Sequence, residues 1–176
     1  MQADPPQPIS PAGFTAVVLA GDRKPDDPLV IQTGACCKAL VTFDGLPMLD
    51  GVVATLQRSR SIERVLLSGP SQRCLDTDPT LKAALESDRI DWVEPQASPS
   101  TSAYAALQTL AAETPVLLTT ADHALLSPAM VDHFCREALK TGCDVVAAFA
   151  AHAAIMAAYP GMRRTATRFK DDPFCG

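Results

Sequence analysis

The run Phe14-Thr-Ala-Val-Val-Leu19 is apolar at nearly every position and shows no alternation of polar with apolar residues. A strand with one wet face alternates with a period of two. A continuous apolar run implies burial on both faces, the situation of a central strand in a parallel sheet. The run ends at Ala20-Gly21 and enters a loop bearing Arg23 and Lys24. A buried strand that ends beside backbone N–H groups and fixed cations is a place to hold a polyphosphate.

The rest of the chain repeats the rhythm. Arg64–Ser68, Ile90–Val93 and Val116–Thr120 read as further strands, and Asp144–Phe149 as a fifth. Residues 20–38 read as one long loop. Pro47–Ser59 places Leu49, Val52, Val53 and Leu56 at i, i+3, i+4 and i+7, one stripe of a helix. Pro79–Ser87 reads as a short helix, and Ser100–Ala112 as a longer one with Tyr104, Leu107 and Ala111 inward. Ser127-Pro128 is an N-cap followed by proline at the first helical position. The helix it opens should bury Val131, Phe134, Cys135 and Ala138 and end near Gly142. Strands alternating with helices predict a parallel sheet covered on both faces.

Residues 1–12, rich in proline, read as a flexible tail, and 13–176 as a single domain. From residue 150 the rhythm breaks into an Ala-rich helical piece and an edge strand within Met162–Lys170. The net charge of −5 argues against general nucleic-acid binding, which needs a basic face. The apolar runs fall far short of the roughly 20 residues of a membrane span. The start of the chain has neither the basic opening nor the apolar middle of a secretory signal. The six cysteines contain no C-x-x-C pair, so reduced thiols in a cytoplasmic protein are expected.

In an open α/β sheet, ligands bind beyond the carboxyl ends of the strands, where the strand order reverses. If the strands ending at Leu19 and Thr120 are neighbours, then Gly21, Arg23, Lys38 and Asp122 surround one crevice suited to a triphosphate with Mg2+. Gly21 allows close backbone approach to a phosphate, although any tight turn favours a small residue. Lys38 offers a compact positive charge, although most lysines are solvated at the surface. Asp122 is a carboxylate at the end of an apolar strand, which should cap, pair or hold a metal. The serines of Ser98-Pro-Ser-Thr-Ser102 can cap a helix or meet a nucleobase or ribose. No G-x-G-x-x-G or G-x-x-x-x-G-K-[ST] is present. Residues 163–170 hold four of the fifteen basic residues and no acid, which suits either an acceptor phosphate or a charge-protected sheet edge.

Taken together, Leu19-Ala-Gly21, Lys38, Gly45, Pro47-Met-Leu49 and the strand-end Asp122 resemble the MobA-like nucleotidyltransferases. Asp22 stands at the family's second glycine, the R-M-G loop is missing, and sixteen residues separate Gly21 from Lys38. Ala124 stands where proline is usual, and the family's later Gly/Asn strand does not appear. The resemblance implies a Rossmann-like three-layer αβα fold with a mostly parallel sheet, of the nucleotide-diphospho-sugar transferase type. It also implies transfer of a nucleotidyl group from a nucleoside triphosphate to a small phosphorylated or hydroxyl acceptor, with Mg2+ as cofactor. Lys38, Arg23 and Asp122 then act on the triphosphate and metal, with Asp122 as the metal ligand. Leu19, Ala20, Gly21, Asp22 and Ser102 hold the nucleotide, and Arg163, Arg164 and Arg168 hold the acceptor. A catalytically silent nucleotide-binding domain and a glycosyltransferase using Asp76-Thr-Asp78 remain the alternatives.

Overall fold

The computed structural model of the protein describes residues 13–22, 27–86, 90–162, 166–168 and 173–175. The expected tail, Arg23, Arg163 and Arg164 lie outside them. The chain divides into two units, residues 1–135 and 136–176.

The first unit opens with β1 (Phe14–Leu19), α1 (Pro28–Thr33) and a single 3-10 turn at Lys38–Leu40. A two-stranded ribbon, β2 (Thr42–Phe43) and β3 (Leu46–Pro47), follows, and then α2 (Met48–Arg58). Next come β4 (Ile62–Ser68), α3 (Gln72–Leu75), α4 (Pro79–Leu85), β5 (Ile90–Val93) and α5 (Pro99–Leu107). The unit closes with β6 (Val116–Thr120) and most of α6 (Pro128–Thr141). Strands β5, β4, β1 and β6 lie in that order in one sheet, and every pairing is parallel. The chain builds outward from β1 to β5 and then returns to the other side of β1 with β6. The strand order therefore reverses between β1 and β6, the place where such sheets leave a crevice.

Alternate residues of β1 feed two cores, one on each face of the sheet. Ala16 and Val18 pack with Leu49, Val52, Val53 and Leu56 of α2, Leu81 of α4, and Val131 and Cys135 of α6. Val17 packs on the opposite face with Leu66 and Ala106 of α5. Helices on both faces give the expected αβα layering, and the predicted stripe of α2 is buried as a whole.

Several expectations need correction. The long loop contains α1, and the ribbon β2–β3 turns at Asp44-Gly45, where both residues have positive φ, 50° and 84°. That dipeptide is a strong hairpin signal. In α5, Tyr104 is 66% exposed, while Ser102 and Ala106 face inward. The helix lies close to the sheet, so its small residues pack and its large ones project. Strand β6 is at the sheet edge and leaves Leu118 51% exposed, although its apolar run suggested full burial. Residues 144–149 are not assigned to a strand, and Val145 is 86% exposed. Apolar character does not make a strand without a neighbour to complete its hydrogen bonds.

The cysteines differ from expectation as well. Cys36, in the loop before Lys38, forms a disulfide with Cys74 of α3, 38 positions away and 5.5 Å between Cα atoms. Such pairing depends on tertiary approach and leaves no spacing signature in the sequence. Cys37 is buried and free, and burial is the main reason its thiol is pushed up to about 11.

In the second unit, β7 (Ala150–Ala151), α7 (His152–Ala158), β8 (Ala166–Arg168) and β9 (Pro173–Cys175) follow the end of α6. They form an antiparallel sheet in the order β7-β9-β8. The expected edge strand is thus three residues long, with Arg168 as its last. No helix among the described residues is long and apolar enough to cross a membrane.

Candidate nucleotide site

β1 and β6 run in register to their tips, where Leu19 lies opposite Thr120. Beyond them opens a cleft of about 610 Å3. Its floor is Leu19, Ala20, Gly21 and Asp22 from the end of β1, with Thr120, Ala121 and Asp122 from the end of β6. Lys38 and Ala39 enter from the 3-10 turn, Asp27 and Pro28 from the start of α1, and Gln96 to Pro99 with Ser102 from the loop into α5.

The floor is held tightly. Ala20 N–H donates to Ser68 O at 2.8 Å, and Ala121 N–H to Leu19 O at 3.0 Å. Gly69, with φ +92°, lies against this turn so closely that an added Cβ would stand 2.8 Å from Ala20 C and Gly21 N. A Cβ on Gly21 would stand 2.9 Å from Pro95. Glycine at 69 lets the turns after β1 and β4 nest against each other, and glycine at 21 leaves room for Pro95 of the loop after β5.

The Lys38 ammonium donates to Asp122 Oδ2 at 2.8 Å, although 84 positions separate the two residues. Both side chains keep contact with solvent, at 37% and 44% exposure. The Thr120 hydroxyl donates to the other oxygen, Asp122 Oδ1, at 2.6 Å. Burial by itself would raise the Asp122 carboxyl, but the hydrogen bonds from Lys38 and Thr120 and the charge of Lys38 outweigh it. The result lies near 2, well below the ordinary carboxylate range. Asp122 is therefore ionised at every physiological pH. The neighbouring imidazole, His123, meets Thr119 Oγ1 at 3.1 Å through Nδ1.

Asp22, at the family's second glycine, turns its carboxylate toward the chain: Lys38 N–H donates to its Oδ1 at 3.0 Å. Ser102 lines the cleft, but its hydroxyl is engaged with the backbone of Gln96. It accepts from Gln96 N–H at 2.8 Å and donates to Gln96 O at 3.5 Å. Ser102 thus shapes the loop after β5. The helix cap is Ser98, whose hydroxyl accepts from Thr101 N–H while Thr101 Oγ1 accepts from Ser98 N–H. Of the residues singled out in the sequence, the cleft brings Leu19, Ala20, Gly21, Asp22, Lys38, Ser102 and Asp122 together. Arg23, Arg163 and Arg164 lie outside the described residues, and of Arg168 only the backbone is described. Thr120, Gln96 and Asp27 are additions. The first two follow from the rule that strand ends carry the ligands, since each stands at or just after one.

Among the described residues, no cluster of three His, Cys, Asp or Glu side chains could cage a metal. The Asp122 carboxylate, in a cleft that Asp22 and Asp27 also line, does fit Mg2+, which keeps several waters and shares its remaining ligands with substrate phosphates. Asp76 and Asp78 lie away from the cleft: Asp76 accepts from Gln72 Nε2, and Asp78 Oδ1 accepts from Leu81 N–H at the start of α4.

No curated protein sequence matches the chain. Among solved structures it is similar to a hypothetical transferase from Thermus thermophilus, with 22% identity, TM-score 0.66, and coverage of 93% of this chain and 62% of that one. It is also similar to a 4-diphosphocytidyl-2C-methyl-D-erythritol synthase from Anaerococcus prevotii, with 13% identity, TM-score 0.60 and coverage of 92% and 61%. A third is a CMP:2-keto-3-deoxy-manno-octonic acid synthetase complexed with CTP, with 15% identity, TM-score 0.59 and coverage of 93% and 63%. The chain spans about three fifths of the length of these neighbours. At such identities the likeness is one of fold. The family model for the MobA-like NTP transferase domain matches residues 16–170, and the chain belongs to that family.

Proposed function

We propose that the protein is a Mg2+-dependent nucleotidyltransferase acting on a nucleoside triphosphate and a small acceptor bearing a phosphate or hydroxyl. The observation that carries this reading is the meeting of Lys38, from the 3-10 turn, with Asp122, from the end of β6, at 2.8 Å in one cleft. An acceptor oxygen attacks the α-phosphorus, and the bond to the bridging oxygen breaks. Pyrophosphate leaves with the electron pair, and the acceptor's proton, where it has one, passes to solvent. This chemistry needs positioning and charge neutralisation more than a protein nucleophile. Lys38 neutralises the triphosphate, and the Ala20–Asp22 backbone lies alongside it. The loop at Gln96, held by Ser102, borders the space for base and ribose. Mg2+ held by Asp122 would supply charge to the phosphates and to the departing pyrophosphate. On charge alone, the basic stretch 163–170 is assigned to the acceptor. We assign the protein to the cytoplasm because nucleoside triphosphates and Mg2+ are abundant there; the thiols give this no support, since Cys36 and Cys74 are bridged.

Nucleotide binding without turnover is the second reading. It is favoured by Asp22 at a position where the family carries glycine. Pyrophosphate release from each of the four common triphosphates, with a panel of sugar, polyol and cofactor phosphates, separates the two. Release that depends on both an acceptor and Mg2+ is the expected result. Binding with no release across the panel would leave only the second reading.

A further inference from the structure

We propose that Asp22 and Thr120 are positioning residues of this site: Asp22 sets the backbone of Lys38, and Thr120 sets the carboxylate of Asp122. The inference rests on the nucleotide reading above and assigns roles to two side chains at the tips of β1 and β6.

Lys38 begins a 3-10 turn whose preceding residue, Cys37, makes no side-chain capping bond. The first N–H groups of such a turn have no partner within it and need one from elsewhere. Asp22 provides it from 16 positions earlier, accepting Lys38 N–H at 3.0 Å. With its amide anchored to the end of β1, the lysine stem extends across the cleft, and its ammonium reaches Asp122. At the far side, the 2.6 Å bond from Thr120 to Oδ1 fixes the carboxylate rotamer and directs Oδ2 to Lys38. Three hydrogen bonds, joined through the Lys38 side chain, thus link Thr120 and Asp122 to Asp22 between two adjacent strand ends.

A carboxylate beside a polyanion site ordinarily repels the ligand. Removing Asp22 should tighten anion binding if charge is all that matters, and weaken it if its bond to Lys38 matters more. The sign of the effect separates the two. Calorimetry with tripolyphosphate and MnCl2 on the full chain reads it for Asp22→Ala, Asp22→Asn, Thr120→Val and Thr120→Ser. Asp22→Ala should weaken tripolyphosphate binding by about five- to tenfold, as expected for one lost hydrogen bond. Its Mn2+ half-saturation should not move. Asp22→Asn keeps an acceptor oxygen and sheds the charge, so it should bind at least as tightly as the parent. Thr120→Val should raise the Mn2+ half-saturation by about five- to tenfold and leave metal-free tripolyphosphate affinity unchanged, and Thr120→Ser should restore it.

Two measurements without ligand run alongside: hydrogen exchange at the Lys38 amide, and the carboxyl 13C resonance of Asp122. Exchange should quicken in Asp22→Ala but not in Asp22→Asn, and the resonance should shift in Thr120→Val but not in Thr120→Ser. If the parent binds no tripolyphosphate, the nucleotide reading falls, and these two signals alone decide the positioning roles. Tighter binding by Asp22→Ala, or an unchanged Lys38 amide, overturns the role of Asp22. An unmoved metal dependence, or an unmoved Asp122 resonance, overturns that of Thr120.

Discussion

Lys38 is the cation of the described cleft, and its removal tests the proposed chemistry most directly. Lys38→Ala should lower pyrophosphate release by about 100-fold or more, the range for losing one electrostatic stabiliser. Wild-type turnover by a folded variant would remove Lys38 from the mechanism. Asp122 has a depressed carboxyl, so its ion pair adds stability above the unfolded value near 3.9 and loses it as pH falls toward about 2. Between pH 5 and 9 the Asp122 charge should be constant. A melting profile in which Asp122→Asn differs from the parent at pH 7 but converges with it near pH 2 is the expected pattern. Both residues are legible in the sequence because they stand at places where charge must be explained: a lysine before a turn and an aspartate ending an apolar strand. The direction taken by the Asp22 carboxylate is not legible, because it depends on where residue 38 returns in space.

Among the elements, the turn after β4 supports the floor of the site without touching the cleft. Gly69→Ala forces a Cβ at positive φ against Ala20 and Gly21, so both strain and contact oppose it. A loss of roughly 2 to 4 kcal/mol in denaturant unfolding is expected, together with weaker nucleotide binding by the fraction that stays folded. Full stability in Gly69→Ala would mean that the two turns can separate without cost. Sequence pattern identifies the sheet strands by their continuous apolar runs and α2 by its 3.6-residue stripe, which is buried as a whole. It fails for α5, where Ser102 and Ala106 pack and Tyr104 does not, since bulk is a poor guide when a helix lies close to a sheet. It fails again for 144–149, an apolar run that is not assigned to a strand.

At the scale of the whole molecule, the order β5-β4-β1-β6 places the crevice. Alternating strands and helices predict the parallel sheet, but the adjacency of β1 and β6 entered only as a condition. The Cys36–Cys74 bridge and the antiparallel sheet of the second unit were not readable. Both depend on distant segments meeting. A triphosphate that binds only the folded chain must raise its melting temperature by mass action. Of ATP, CTP, GTP and UTP at millimolar concentration with Mg2+, at least one should shift the transition by several degrees, and Lys38→Ala should abolish the shift. No shift with any of the four would count against nucleotide binding itself.

Because Lys38 and Asp122 hold each other, an arriving polyphosphate has to compete for the ammonium. Success frees an acidic oxygen beside the newcomer, at the moment a divalent ion can use it. Entry of the anion and capture of the metal then become two halves of one exchange of partners. By thermodynamic reciprocity, each should strengthen the other's hold by the same factor.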